Sequence, residues 1–145
     1  MGYTHYWRQG QDFNQEGWAA ICDATHKLIV ALPATVKIAV EYDEPEGLPV
    51  VDGSEIRFNG IGDLGHETFL LERAARGFQF CKTARKPYDV LVCAVLMVAG
   101  TVAPDALSIS SDGGEENWSA GLSLVKRTID PEMQLPQSLQ ESLAA

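Results

Sequence analysis

Basic residues are scarce in this chain. Eleven Lys and Arg stand against twenty Asp and Glu, a formal net charge of −9. Such a surface lacks the broad basic face that neutralises nucleic-acid phosphates, which excludes general nucleic-acid binding. An anionic membrane surface is excluded on the same ground. Long hydrophobic runs are missing too. The longest, residues 90–99, is ten residues, and it reaches fourteen only by counting Gly100 and Thr101. A bilayer span needs about 20. Residues 1–11 are polar and aromatic, without the basic start and apolar run of a signal peptide, so a cytoplasmic protein is expected. Cysteine is limited to Cys22, Cys81 and Cys93, an odd number without metal-ligand spacing. These read as reduced thiols. Neither a Gly-x-x-x-x-Gly-Lys-Ser/Thr loop nor a Gly-x-Gly-x-x-Gly run occurs, so no standard nucleotide fingerprint is present.

What is present suffices for one core. A hydrophobic share of 46% over 145 residues predicts one domain of ordinary size. The first strand is expected over residues 2–8. A helix opens at Asp12, with Gln15 at the capping-box spacing, and buries Trp18, Ile21, Cys22, Thr25, Leu28, Ile29 and Leu32 before Pro33 stops it. Residues 36–42 alternate as a strand. Three short strands follow as an antiparallel meander: 55–59 burying Ile56 and Phe58, 67–72, and 78–82 burying Phe78 and Phe80. Residues 90–102 are apolar all round, so they form the central buried helix, entered through Pro87. A last strand over 107–111 leads to a helix capped by Asp112, with Trp118, Leu122 and Val125 inward. The expected architecture is α+β: a mainly antiparallel sheet with about three helices packed on it. The domain covers residues 1–129, and 130–145 is a polar tail.

The most informative segment is residues 78–89. It places Lys82, Arg85 and Lys86, three of the eleven cations, within five residues at the start of an apolar helix. Cations usually avoid that end, where the helix dipole is already positive. Something negative is therefore expected beside them. One reading is a phosphate or other anion, held by Lys82, Arg85 and Lys86, with Thr83, Tyr88 and the first-turn amides as neutral donors. The others are the protein's own acids, such as Glu67, Glu72, Asp89 or Asp112, and a docking patch for a protein partner.

Three further groups carry chemistry in principle. Aromatics around His5, namely Tyr6 and Trp7, could stack on a planar ligand or simply fill the core. Asp112, followed by Gly113 and Gly114, reads as an N-cap or as a ligand contact. His66 and Glu67, near Asn59, would pair as acid and base only if Gly65 bends the strand, because adjacent strand residues point apart. Lys82 beside Cys81 would lower a thiol pKa, although a structural thiol is the simpler reading. No metal site and no cofactor are expected, because the His and Cys residues lack paired spacing.

The strings Gly2-Tyr3-Thr4-His5-Tyr6-Trp7, Phe58-Asn59-Gly60, Glu67-Thr68-Phe69, Phe80-Cys81-Lys82-Thr83-Ala84-Arg85-Lys86-Pro87-Tyr88-Asp89 and Ser111-Asp112-Gly113, with Trp118, carry a resemblance. Over roughly residues 2–120 the chain resembles a family of small uncharacterised proteins encoded by bacteriophages and by bacterial genomes carrying prophages. The resemblance implies a phage-type origin, hence the host cytoplasm, and no particular catalysis. The expected function is that of a small accessory protein binding an anionic, nucleotide-like molecule, with counter-defence as one setting. The alternative is an interaction module that inhibits or redirects a host protein. The expected partners are thus a phosphate-bearing small molecule or a host protein, with self-association left open. If catalysis occurs, His5, Asp89 and Asp112 are the general-base candidates.

Overall fold

The structure is a computed structural model and describes residues 2–145. Its elements are β1 (Thr4–Gln9), α1 (Gln15–Ala31), β2 (Ile38–Ala39), β3 (Val50–Val51), β4 (Glu55–Gly60), β5 (Phe69–Glu72), β6 (Gly77–Lys82), α2 (Asp89–Val102), β7 (Leu107–Ser111), α3 (Glu115–Thr128) and α4 (Gln137–Ala144). Every strand pair is antiparallel. The fold is α+β, as its mixed hydrophobic periods require.

Two small sheets share one core. The first has the order β6-β1-β7, and the second is built around β4, which pairs with β2, β3 and β5. The expected meander therefore holds only from β4 to β5. β6 leaves it and crosses to β1, pairing His5 with Cys81 and Tyr6 with Phe80. This register puts Cys81 inside and turns Phe78 and Phe80 outward, 49% and 56% exposed, opposite to the face expected from their apolar character. The strand expected over 36–42 shrinks to β2. Beyond it Glu41 turns to meet Arg57 at 3.2 Å and to accept from Thr68 at 2.5 Å.

α2 packs against α1, α3 and β7, with residues 91–100 all buried. Burying each Leu- or Val-sized side chain stabilises the fold by about 1.5–3 kcal/mol. α1 supplies Trp18, Ile21 and Leu28 to the same core. α3 can lie close against α2 because residue 121 is glycine. A Cβ there would stand 2.8 Å from Cys93 Cβ and 3.2 Å from the Val90 carbonyl.

Both expected helix caps are displaced. Asn14, not Asp12, accepts from the Gly17 amide at 2.7 Å, while Asp12 accepts from Ala75 N–H across the chain. α3 begins after Gly114, whose N–H donates to the Asn117 side chain at 2.9 Å. The segment expected as a polar tail is packed. Leu139 is fully buried, Met133 nearly so, and α4 lies along the free edge of β7. There the hydroxyls of Ser138 and Ser142, one helical turn apart, accept from Ile109 N–H at 2.9 Å and Ser111 N–H at 3.4 Å. A sheet edge that would otherwise invite another strand is thereby closed by side chains. Replacing both serines with alanine should orphan these amides and lower stability by about 1–3 kcal/mol in urea denaturation. A double variant as stable as wild type would show that solvent serves the edge equally well.

Candidate functional site

Four segments meet at a buried polar cluster. β1 places His5 inward, between Tyr3 and Trp118, whose rings lie 4.9 and 4.7 Å away. Its Nε2–H donates to Asp89 Oδ1 at 2.7 Å. Ser111 Oγ lies 2.8 Å from Nδ1, within hydrogen-bond reach, and accepts from Gly113 N–H at 3.0 Å. Asp89 opens α2 and also accepts from the Thr83 hydroxyl at 2.6 Å. Cys93 Sγ lies 3.5 Å from both His5 Nε2 and Asp89 Oδ2.

His5, Asp89 and Cys93 are the one trio with metal-ligand chemistry among the described residues, their donor atoms lying within 4.8 Å of one another. The 3.5 Å sulfur contacts suit two ligands of one tetrahedral ion, but the 2.7 Å His5–Asp89 contact is that of a hydrogen bond. Desolvation first, then the Asp89 charge, pushes the Cys93 thiol well up. A thiol held protonated is neither a nucleophile nor a ready ligand. With the His5 side chain wholly buried, the cluster acts as a strut joining β1, β7, α2 and the turn after β6. It presents no general base to solvent through His5.

Above the strut, residues 83–86 form a tight turn closed by Lys86 N–H donating to Thr83 O at 3.0 Å. Ala84 and Arg85 both take positive φ, 53° and 59°. Neither is glycine, so each carries a steric cost of about 1–2 kcal/mol. The turn is held nonetheless by Thr83 on Asp89 beneath and by Ala84 N–H on Tyr3 O at 3.2 Å. Arg85 is thereby lifted to the surface, its guanidinium 4.2 Å from the Tyr3 ring centroid.

The nine expected site residues separate into four groups. Lys82 and Arg85 both reach the start of β1, against successive residues: the end of the Lys82 side chain lies against Gly2, and Arg85 covers Tyr3. Lys86 points elsewhere, into a depression with Tyr42, Asp63 and His66. None of the three cations forms an ion pair with an acid of the described residues. Thr83, Trp7, Tyr88 and His5 are buried and engaged inside. Tyr88 donates to Glu67 O at 2.5 Å and Trp7 packs on Phe69, so neither ring can stack on a ligand and Thr83 cannot donate to one. The amides of residues 89–92 bond to preceding carbonyls, so the helix start offers no free first-turn donors. Glu67 instead accepts from the backbone of Lys82 at 2.7 Å and does not approach His66 as a catalytic partner.

Tyr6 and Asp112 remain on the surface. Asp112 Oδ1 accepts from the Tyr6 hydroxyl at 3.0 Å, and Oδ2 accepts from Thr4 N–H at 3.1 Å. Desolvation and that hydrogen bond push the Tyr6 phenol above its ordinary value. Beside Tyr6 stand Phe80 and Phe78, the rings assigned to the interior from sequence alone. Arg8 lies 5.6 Å from the Phe78 centroid. The signal that could have found them is the alternation of β6 itself, which allows Cys81 and Phe80 to share no face. Comparison with protein-family models, curated proteins and solved structures gives no match to this chain.

Two outcomes test the strut. Replacing His5 with alanine should cost about 3–5 kcal/mol, because it opens a cavity and strips Asp89 of its partner; a loss under about 1 kcal/mol in urea denaturation would contradict it. The second is a pH dependence. Burial pushes the Cys81 thiol from 9.0 up to about 12, and Cys93 moves the same way. The fold therefore binds these protons more tightly than the unfolded chain. Their stabilisation is complete below pH 9.0 and, for Cys81, is lost as pH rises toward 12. The loss approaches about 1.4 kcal/mol per pH unit for each thiol still protonated. The urea midpoint should fall across this range, less steeply in Cys81→Ala. An unchanged slope in that variant would contradict the assignment.

Proposed function

We propose that this chain is a small accessory protein of phage type that binds an anionic, phosphate-bearing small molecule at the start of β1, where Lys82 lies against Gly2 and Arg85 over Tyr3. One observation carries this reading: in a chain with nearly twice as many acids as bases, these two cations have no acidic partner among the described residues. The nearby acids are used elsewhere, Asp89 on His5 and Thr83, Glu67 on the Lys82 backbone and Asp112 on Thr4 and Tyr6. Backbone held against its steric preference is a feature that clusters at functional sites, and here it presents Arg85. The planar guanidinium suits two parallel hydrogen bonds to a phosphate, with Lys82 adding charge. The role is binding rather than turnover, since His5 and Cys93 are sealed in the interior. Lys86, directed to another depression, lies outside this site.

The test is a thermal-shift and calorimetric panel of phosphate compounds on the full chain at low ionic strength. Pyrophosphate or a nucleotide should raise the melting temperature. Arg85→Ala should weaken that binding by about tenfold or more while leaving the free protein's stability within about 0.5 kcal/mol. Absence of binding by every phosphate compound at millimolar concentration would end this reading. Co-purification of a host protein in its place would establish the docking role instead.

A further inference from the structure

The side of the β6-β1-β7 sheet facing away from α2 is not a plain solvated surface. Strand alternation brings Phe78, Phe80 and Lys82 of β6 onto it, opposite Arg8, Tyr6 and Thr4 of β1. The rings form a continuous rack: Tyr6 stacks on Phe78 at 6.0 Å and 20°, and Phe78 lies 6.2 Å from Phe80. About half of each phenylalanine remains exposed, although the fold buries every other Phe of the chain. One end of the rack is Lys82, three residues before Arg85 in the turn that follows β6. The other opens into a groove of about 480 Å³ between Tyr6, Arg8 and Phe78 on the sheet and Ser138, Glu141 and Ser142 on α4.

We infer that this rack is the stacking platform of the same ligand, and that the ligand is a single-stranded dinucleotide, two bases joined by a phosphodiester. The inference rests on the anion site proposed above and adds the rest of the molecule to it. Flat aromatic faces accept bases of any identity, and exposed rings on a sheet beside cations are the physical basis of single-strand binding. Residues 78 and 80 are two positions apart, which spaces their side chains by about 6.6 Å along the strand and gives each base its own ring. Phe80 takes the base nearer Lys82; Phe78, with Tyr6 stacked on it and Arg8 beside it, takes the second at the groove. Lys82 and Arg85 hold the terminal phosphate. Asp112, at the Tyr6 hydroxyl, is placed to accept from an exocyclic amine or a ribose hydroxyl. The size follows from charge. Two local cations can offset the few charges of a dinucleotide, whereas the −9 of the whole chain repels a long polyanion.

The experiment is calorimetric titration of the full chain at low salt with three probes: a 5′-phosphorylated adenine dinucleotide, adenosine monophosphate and inorganic pyrophosphate. Wild type should bind the dinucleotide about tenfold or more tighter than the mononucleotide, the gain of one further stacked base. Phe78→Ala should erase that difference and leave mononucleotide binding unchanged. Phe80→Ala should weaken both nucleotides, and neither variant should alter pyrophosphate binding. Both side chains are surface-exposed, so unchanged melting temperatures will show that the variants fold. Equal affinity for dinucleotide and mononucleotide in wild type overturns the inference, as does wild-type binding by both phenylalanine variants. Pyrophosphate binding lost in Arg85→Ala would keep the anion site standing in those cases. Nucleotide binding that needs Phe80 but ignores Arg85 would sink the anion site and keep the platform. Silence from all three probes, or capture of a protein on this face in their place, overturns both.

Discussion

The carboxylate of Asp89 is the group on which the rest of the structure depends. It lies at the first residue of α2, only 15% exposed, and an ion so placed is costly unless it is paired and hydrogen-bonded. His5 and Thr83 supply those bonds, and Ser111 fixes the far side of the imidazole. Three stretches of chain far apart in sequence, β1, residues 83–89 and β7, are thus registered at one point. A slip of β1 by one residue would remove His5 from Asp89 and turn Tyr6 into the core, so the same contact that closes the interior sets both faces of the sheet.

From this constraint follows the unusual turn at residues 83–86. Thr83 is held below by Asp89, while β6 must end where α2 begins, and Ala84 and Arg85 accommodate the difference in the left-handed region. Asp89 is also the nearest acid in sequence to the cationic cluster, yet its oxygens serve the interior. The cations are consequently left without an internal counter-charge. Burial and function divide along β1: inward residues Tyr3, His5 and Trp7 build the strut and core, and outward residues Tyr6 and Arg8 join Phe78 and Phe80 on the open face.

Much of this fold was legible in the sequence for simple reasons. Residues 90–102 are apolar on every side and can only be interior, and the 3.6-residue stripe of α1 has one reading. The failures are equally specific. Phe78 and Phe80 look like core because aromatic alternation does not say which face a neighbouring strand will cover; only the crossing of β6 to β1 decides that. Asp12 and Asp112 satisfied a capping-box spacing that many loops satisfy, and both carboxylates went to distant amides. The last sixteen residues seemed a tail because their apolar residues are sparse, although Met133 and Leu139 suffice to dock α4 when its serines also serve a sheet edge. For the candidate site, the cations were readable as an electrostatic anomaly. The separation of Lys86 from Lys82 and Arg85 was not, because it depends on the two positive φ angles.

The central claim is that His5 and Asp89 act as one unit holding β1, the turn and α2 together. A double-mutant cycle in urea denaturation, using His5→Ala, Asp89→Ala and the double variant, measures this directly. The account predicts a coupling of about 2 kcal/mol or more, the double variant being little worse than either single one. Additive losses, within about 0.5 kcal/mol, would contradict it and leave the turn without its anchor.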